Sequence, residues 1–197
     1  TEDGYESQFG VNHLGHWSLT GLLVNNLLAA EQARVVTVTS TAHHMVWNIN
    51  FDDPHMLKKY SPWKAYGQSK LANYFFALGL HNEFKNSGKQ AMSLLAHPGL
   101  SHTNLQVETY DKGAAGWTGK VSKTLAARVG MEPEVGARPQ IRAALDPKAK
   151  SGQFYCPRYG NNGAPVRHPI MRTRNQRNIE KLWELSEKET GIKLEIS

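Results

Sequence analysis

Val35-Val36-Thr37-Val38-Thr39-Ser40 is the stretch on which the fold of this chain turns. Five consecutive β-branched residues have the composition of a buried strand, and the run stops on a hydroxyl. Working back from it, Tyr5, Phe9, Asn12, His16, Leu19, Leu23 and Leu27 recur at steps of three and four, which predicts one helical face over residues 5–29. A helix feeding a buried strand points to α/β layering. Working forward, residues 41–64 are polar and broken by Pro54 and Pro62, so a loop is expected, with a short helix near 54–60. Helical spacing returns over 66–85, with Leu71, Phe75, Leu78 and Phe84 on or near one face, and Ser87-Gly88 ends it. Residues 91–96 form the next strand, stopped by Pro98-Gly99.

The remainder continues the alternation. Residues 100–119 are rich in Gly, Ser and Thr, followed by a helix to Val129 and another over 134–144 behind Pro133. Residues 152–156 read as a last short strand, 157–173 as an irregular loop, and 174–190 as a helix stopped by Gly191. The order is that of a doubly wound, Rossmann-like parallel sheet. Only about three strands are visible, where a sheet commonly has five or six. The sheet is therefore read as the C-terminal part of a larger one.

Composition narrows the function classes. The 197 residues, 40% hydrophobic and 20% charged, suit a single globular domain spanning 1–197. No apolar run reaches the roughly 18–20 residues of a membrane helix. The lone Cys156 excludes an internal disulfide framework, and with no recognisable targeting segment the expected compartment is the cytoplasm. The net charge of +6 lies wholly in residues 99–197, densest from Arg158 to Lys181 through Arg167, Arg172, Arg174 and Arg177. No nucleic-acid-binding fingerprint accompanies those arginines. They read as a solvated surface, and nucleic acid is not the expected partner.

Tyr66-Gly67-Gln68-Ser69-Lys70 carries the most chemistry. Tyr66 and Lys70 lie four apart on a helix, so their side chains share one face. A neighbouring ammonium favours the phenolate and lowers the phenol pKa, which would let the pair exchange a proton near neutrality. Ser40 sits where a parallel strand ends, the place α/β folds reserve for ligand-contacting groups, and its hydroxyl suits a reacting carbonyl oxygen. His97-Pro98-Gly99 follows the next strand at the equivalent edge, with Thr103 shortly after.

These segments, taken together, resemble the short-chain dehydrogenase/reductase family, and its retinol-dehydrogenase-like branch in particular. Gly10-Val11-Asn12-His13-Leu14-Gly15-His16-Trp17 is similar to the segment bearing the family's catalytic Asn, here Asn12. Residues 35–40 resemble the strand ending in the catalytic Ser, here Ser40. Residues 65–73 resemble the active-site helix with Tyr66 and Lys70. Residues 97–103 resemble the motif beside the nicotinamide, with Pro98, Gly99 and Thr103 as cofactor contacts. The 26 positions from Ser40 to Tyr66 match the branch with an insertion there, whose Trp47, Phe51, Met56 and Trp63 either wall a lipophilic pocket or pack as surface.

The resemblance implies an oxidoreductase that uses NAD or NADP to interconvert an alcohol and a carbonyl, on a lipophilic substrate. Tyr66 would be the acid–base and Ser40 the carbonyl polariser. Lys70 would lower the Tyr66 pKa and contact the ribose, as Tyr66 also does. Asn12 would hold a relay water. No metal is expected. The family's Gly-rich phosphate-binding turn is absent, and Thr1-Glu2-Asp3-Gly4 matches the segment just past the family's Asn-Asn-Ala-Gly strand. At about 30 residues per βαβ unit, roughly 80–100 residues are expected to be lacking, and with them any N-terminal anchor. The alternative is a catalytically inactive interaction module. A homodimer through helices 5–29 and 66–85 is the expected assembly.

Overall fold

The computed structural model describes residues 1–100, 131–170 and 176–196. Glu6 starts the first helical segment: its carboxylate accepts the N–H groups of Gln8 and Phe9 at 3.0 and 2.6 Å, which satisfies two donors left open at a helix start. The segment runs through α1 (Ser7–Phe9), a π-helical stretch (Gly10–Leu14) and α2 (Gly15–Leu28). Strand β1 (Arg34–Val38), a 3₁₀ turn (Thr41–Met45), α3 (Pro62–Asn86) and β2 (Met92–Ala96) follow. Then come α4 (Pro133–Gly136), α5 (Arg138–Leu145), β3 (Phe154–Pro157), β4 (Pro165–His168) and α6 (Gln176–Thr190).

The sheet order is β1-β2-β3-β4. The first three strands are parallel, with Val38 opposite Ala96 and Leu95 opposite Phe154. α3 is the central helix. Pro62 opens it without losing a bond the helix needs, and it closes where Gly88 turns left-handed at φ +68° and the Lys89 N–H reaches Phe84 O. Every residue from Leu71 to Leu80 is buried, so α3 is covered all round rather than on one face. One side packs Leu71, Phe75 and Leu78 with Phe9, Leu95, Ile179 and Leu182, and the other packs Phe76, Leu80 and Phe84 with Trp17. Across the sheet, Ala143 of α5 covers Leu94, Ala96 and Tyr155. Helices on both faces make the doubly wound arrangement.

Three expectations change. β4 occupies part of the stretch read as irregular loop. It pairs antiparallel to β3, Phe154 opposite His168, at the sheet edge where a proline costs no ladder bond. No helix forms over 54–60. Instead the Asp53 carboxylate accepts the Leu57 and Lys58 N–H groups around Met56, which adopts φ +53°. β1 is not buried throughout: it is the outermost strand among the described residues, and Val38 is 37% exposed. Phe51 packs on the core while Trp47 is 94% exposed, so the insertion's aromatics do not gather as one wall. The helix expected up to Val129 lies outside the described residues.

Candidate active site

Parallel pairing brings the ends of β1 and β2 to one edge. The Thr39 N–H donates to Ala96 O, and the His97 N–H to Tyr155 O, both at 2.9 Å. Ser40 and Pro98 therefore leave the sheet side by side. Two side-chain bonds stitch α3 to the same edge: Thr39 Oγ1 donates to Lys70 O at 2.8 Å and Asn73 Nδ2 to Val38 O at 3.1 Å. They fix the helix turn carrying Tyr66 and Lys70 against the end of β1.

Ser40 caps the 3₁₀ turn, its Oγ accepting the Ala42 N–H at 3.2 Å. The turn lies directly on α3 because position 67 has no side chain: a Cβ on Gly67 would stand 2.9 Å from Ala42 O and 3.3 Å from Val46 Cγ1. Tyr66 is half-buried. Burial raises its phenol above the ordinary value, and a hydrogen bond with Ser40 pulls the other way. Lys70 Nζ is 5.7 Å from the Tyr66 ring centroid. Burial lowers the Lys70 amine to about 8. The expected lowering of the Tyr66 pKa by Lys70 does not outweigh burial in this structure.

Asn12 reaches the same corner from the π-helical stretch, a local widening that helices often use at functional sites. Its Nδ2 donates to Ser69 Oγ at 3.0 Å, and Ser69 Oγ donates to Tyr66 O at 2.9 Å. The Asn12 carbonyl accepts from His16 Nδ1 at 2.9 Å. Next to it, fully buried His13 meets Ser186 Oγ at 2.8 Å and is held down to about 3 by burial. On the β2 side, Gly99 adopts φ +81°, and a Cβ there would stand 2.6 Å from Asn161 O, so only glycine fits. His97 is 2% exposed, and burial holds it at about 4. Pro98 is half-buried. Thr103 lies outside the described residues.

The structure thus brings Asn12, Ser40, Tyr66 and Lys70 together and sets Pro98 and Gly99 on the neighbouring strand end. A groove of about 340 Å³ opens beside them, lined by His16, Val36, Val38, Lys70, Asn73 and Phe76 among others. Sequence reasoning missed Gly67, Ser69, Thr39 and Asn73. For Ser69 and Asn73 a signal was present, since both are polar within an otherwise apolar helical run and are buried in the fold, and buried polar groups need partners; Gly67 and Thr39 carried none.

Comparison with known proteins gives one consistent answer. No family model matches. The chain is 32% identical over 195 residues to human retinol dehydrogenase 13 and 32% identical over 198 residues to human polyprenol dehydrogenase, covering 98% of this chain and 56% of each relative. A crystal structure of an uncharacterised protein from Mycobacterium paratuberculosis superposes with a TM-score of 0.76 at 36% identity, over 100% of this chain and 63% of that one. A short-chain dehydrogenase/reductase from Saccharomyces cerevisiae shares the fold, with a TM-score of 0.55 over 75% of this chain. The chain spans about half the length of the curated relatives it matches. Four motifs in register, the corner they build and these matches agree that the chain belongs to the short-chain dehydrogenase/reductase family.

Proposed function

We propose that the protein carrying this chain interconverts an alcohol and a carbonyl with NAD or NADP, on a lipophilic substrate. The observation that carries it is the Ser40–Tyr66–Lys70 corner, with Asn12 tied to Tyr66 through Ser69. Two of its relatives, named retinol dehydrogenase 13 and polyprenol dehydrogenase, support a lipophilic substrate. The residues present also fit the nicotinamide end of the cofactor. No carboxylate neutralises Lys70 among the described residues, so its ammonium remains able to donate to a ribose diol. Lys70 and Tyr66 would hold that ribose, with Pro98 and Gly99 beside the ring. A nicotinamide held there would supply hydride-transfer chemistry for the substrate carbon.

The chain's own groups manage the proton. In alcohol oxidation Tyr66 Oη accepts the hydroxyl proton, and in carbonyl reduction it returns one. The Ser40 hydroxyl donates to the substrate oxygen. Its Oγ already accepts from the Ala42 N–H, so its proton is the part left for the substrate. Lys70, charged below its value of about 8, favours the phenolate as substrate and cofactor exclude water. Asn12 holds a water that relays the proton outward.

Tyr66→Phe in the intact protein tests this directly: NAD(P)-dependent turnover of a long-chain alcohol should vanish, and normal turnover refutes the role. The second reading is an inactive interaction module. Titration of this chain with NAD(P)H decides it, since micromolar binding removes that reading. A homodimer would use the exposed Leu19, Leu22 and Leu23 of α2; residues 66–85, expected to share that contact, are covered within the chain over Leu71–Leu80 and offer it no such face. Sedimentation equilibrium measures it.

A further inference from the structure

Ser40 is a short side chain on a strand end. It must present its hydroxyl toward Tyr66 without drifting, yet besides the hydrogen bond with Tyr66 only the Ala42 N–H on Oγ has been described at the residue. A second fixes its backbone. The Ser40 carbonyl accepts the His43 N–H at 3.0 Å and also stands 2.5 Å from His43 Nδ1. A carbonyl only accepts, so Nδ1 carries a proton in this contact. The ring is 3% exposed and stacks on Tyr74, centroids 4.7 Å apart and planes 28° apart. Tyr74 is 1% exposed and stands on α3, four positions after Lys70 and eight after Tyr66, close to the same helical face.

From this geometry we infer that His43 is a positioning residue: it ties the Ser40 peptide to the helix carrying Tyr66 and so holds the Ser40 hydroxyl in its catalytic orientation. The inference rests on the dehydrogenase reading given above. His43 touches neither substrate nor cofactor in this role. Packing alone accounts for the stack on Tyr74 but not for a ring donor aimed at a carbonyl that already holds a backbone bond. The turn that follows Ser40 lies directly on α3 at Gly67, where a Cβ would stand 2.9 Å from Ala42 O, so no side chain separates turn and helix. The Ser40 backbone is thus held from the ring side and the turn from the helix side. The downward pull of Ser40 on the Tyr66 phenol is what such an orientation delivers.

Three variants of the intact protein separate this role from packing. His43→Phe keeps the stack and removes the donor. His43→Asn loses the stack but places an N–H donor the same number of bonds from the backbone as Nδ1. His43→Phe should lower kcat by about 10–100-fold with KM within about twofold, and His43→Asn should recover most of that loss. In a Ser40→Ala background, His43→Phe should cost less than about twofold more, because the group it positions is gone. Unchanged kcat in His43→Phe, no recovery in His43→Asn, or a full further loss in the Ser40→Ala background overturns the inference. Long-range ¹⁵N–¹H correlation on the wild-type protein tests the tie without turnover. A proton on His43 Nδ1 supports it, and a bare Nδ1 overturns it. A wild-type protein with no NAD(P)-dependent turnover would defeat the dehydrogenase reading, while the tautomer spectrum would still decide the tie.

Discussion

The inner and outer sides of β1 are built differently. On the inner side its end is sewn to α3 by Thr39 and Asn73, capped by the 3₁₀ turn on Gly67, and joined through Ser69 to Asn12. On the outer side Val38, Leu19, Leu22 and Leu23 are exposed along β1 and α2, with a groove between them and no strand pairing among the described residues. The first region uses polar groups to tie the helix, the turn and the strand end to one another. The second offers apolar surface with no such ties. The ties are concentrated at the corner where the proposed reaction would move a proton.

The largest expected break in that contrast is Tyr66→Phe. It should cost about 10²–10⁴-fold in kcat, the usual worth of a positioned acid–base, with circular dichroism unchanged. Gly67→Val should follow. Its Cβ would stand 2.9 Å from Ala42 O, so the turn must lift from α3, and kcat should fall about 10–100-fold, since small displacements at a reacting centre are that costly. Steady-state kinetics beside a thermal melt would show activity falling further than stability.

Acid tests the inner side as a whole. His13 and His97 are held near 3 and 4 by burial, below the ordinary 6.5. The unfolded chain therefore binds more protons than the folded one between pH 6.5 and those values. Stability falls as pH is lowered through that window, by up to about 1.4 kcal/mol per pH unit for each ring. Urea melts from pH 7 to 4 measure the slope, and His13→Leu should remove its share.

Gly79→Ala probes packing away from the site. A Cβ there would stand 2.3 Å from the Trp183 ring, which is wedged on Phe76 and Trp17. It should cost roughly 1–3 kcal/mol of stability by overpacking. The smallest effect belongs to the outer face. Leu22 is 69% exposed, so Leu22→Gln should change stability by no more than about 0.5 kcal/mol. A larger loss that depends on protein concentration would show a second copy covering α2.

Much of this corner could be read along the chain, for stated reasons. Ser40 announced itself because a β-branched run must end somewhere, and parallel strands end at the ligand edge. Tyr66 and Lys70 were legible because helical spacing alone puts them on one face. β4 was hidden because three prolines and two glycines mark its stretch as loop, and only the open edge of β3 makes a strand of it. The all-round burial of α3 was hidden too, since periodicity shows a best face and cannot show how many layers arrive.

Local chemistry is what the sequence by itself determined: element types, the parallel α/β order and the identity of Asn12, Ser40, Tyr66 and Lys70. Element types, strand order and the candidacy of Ser40, Tyr66 and Lys70 follow from short-range sterics and spacing, while Asn12 came from the family resemblance. Only the tertiary structure decided that burial raises Tyr66 and lowers Lys70, that Ser69 links Asn12 to Tyr66, and that His43 bonds the Ser40 carbonyl. Desolvation and hydrogen bonds between distant residues depend on which surfaces meet, and that is a property of the packed chain rather than of any segment.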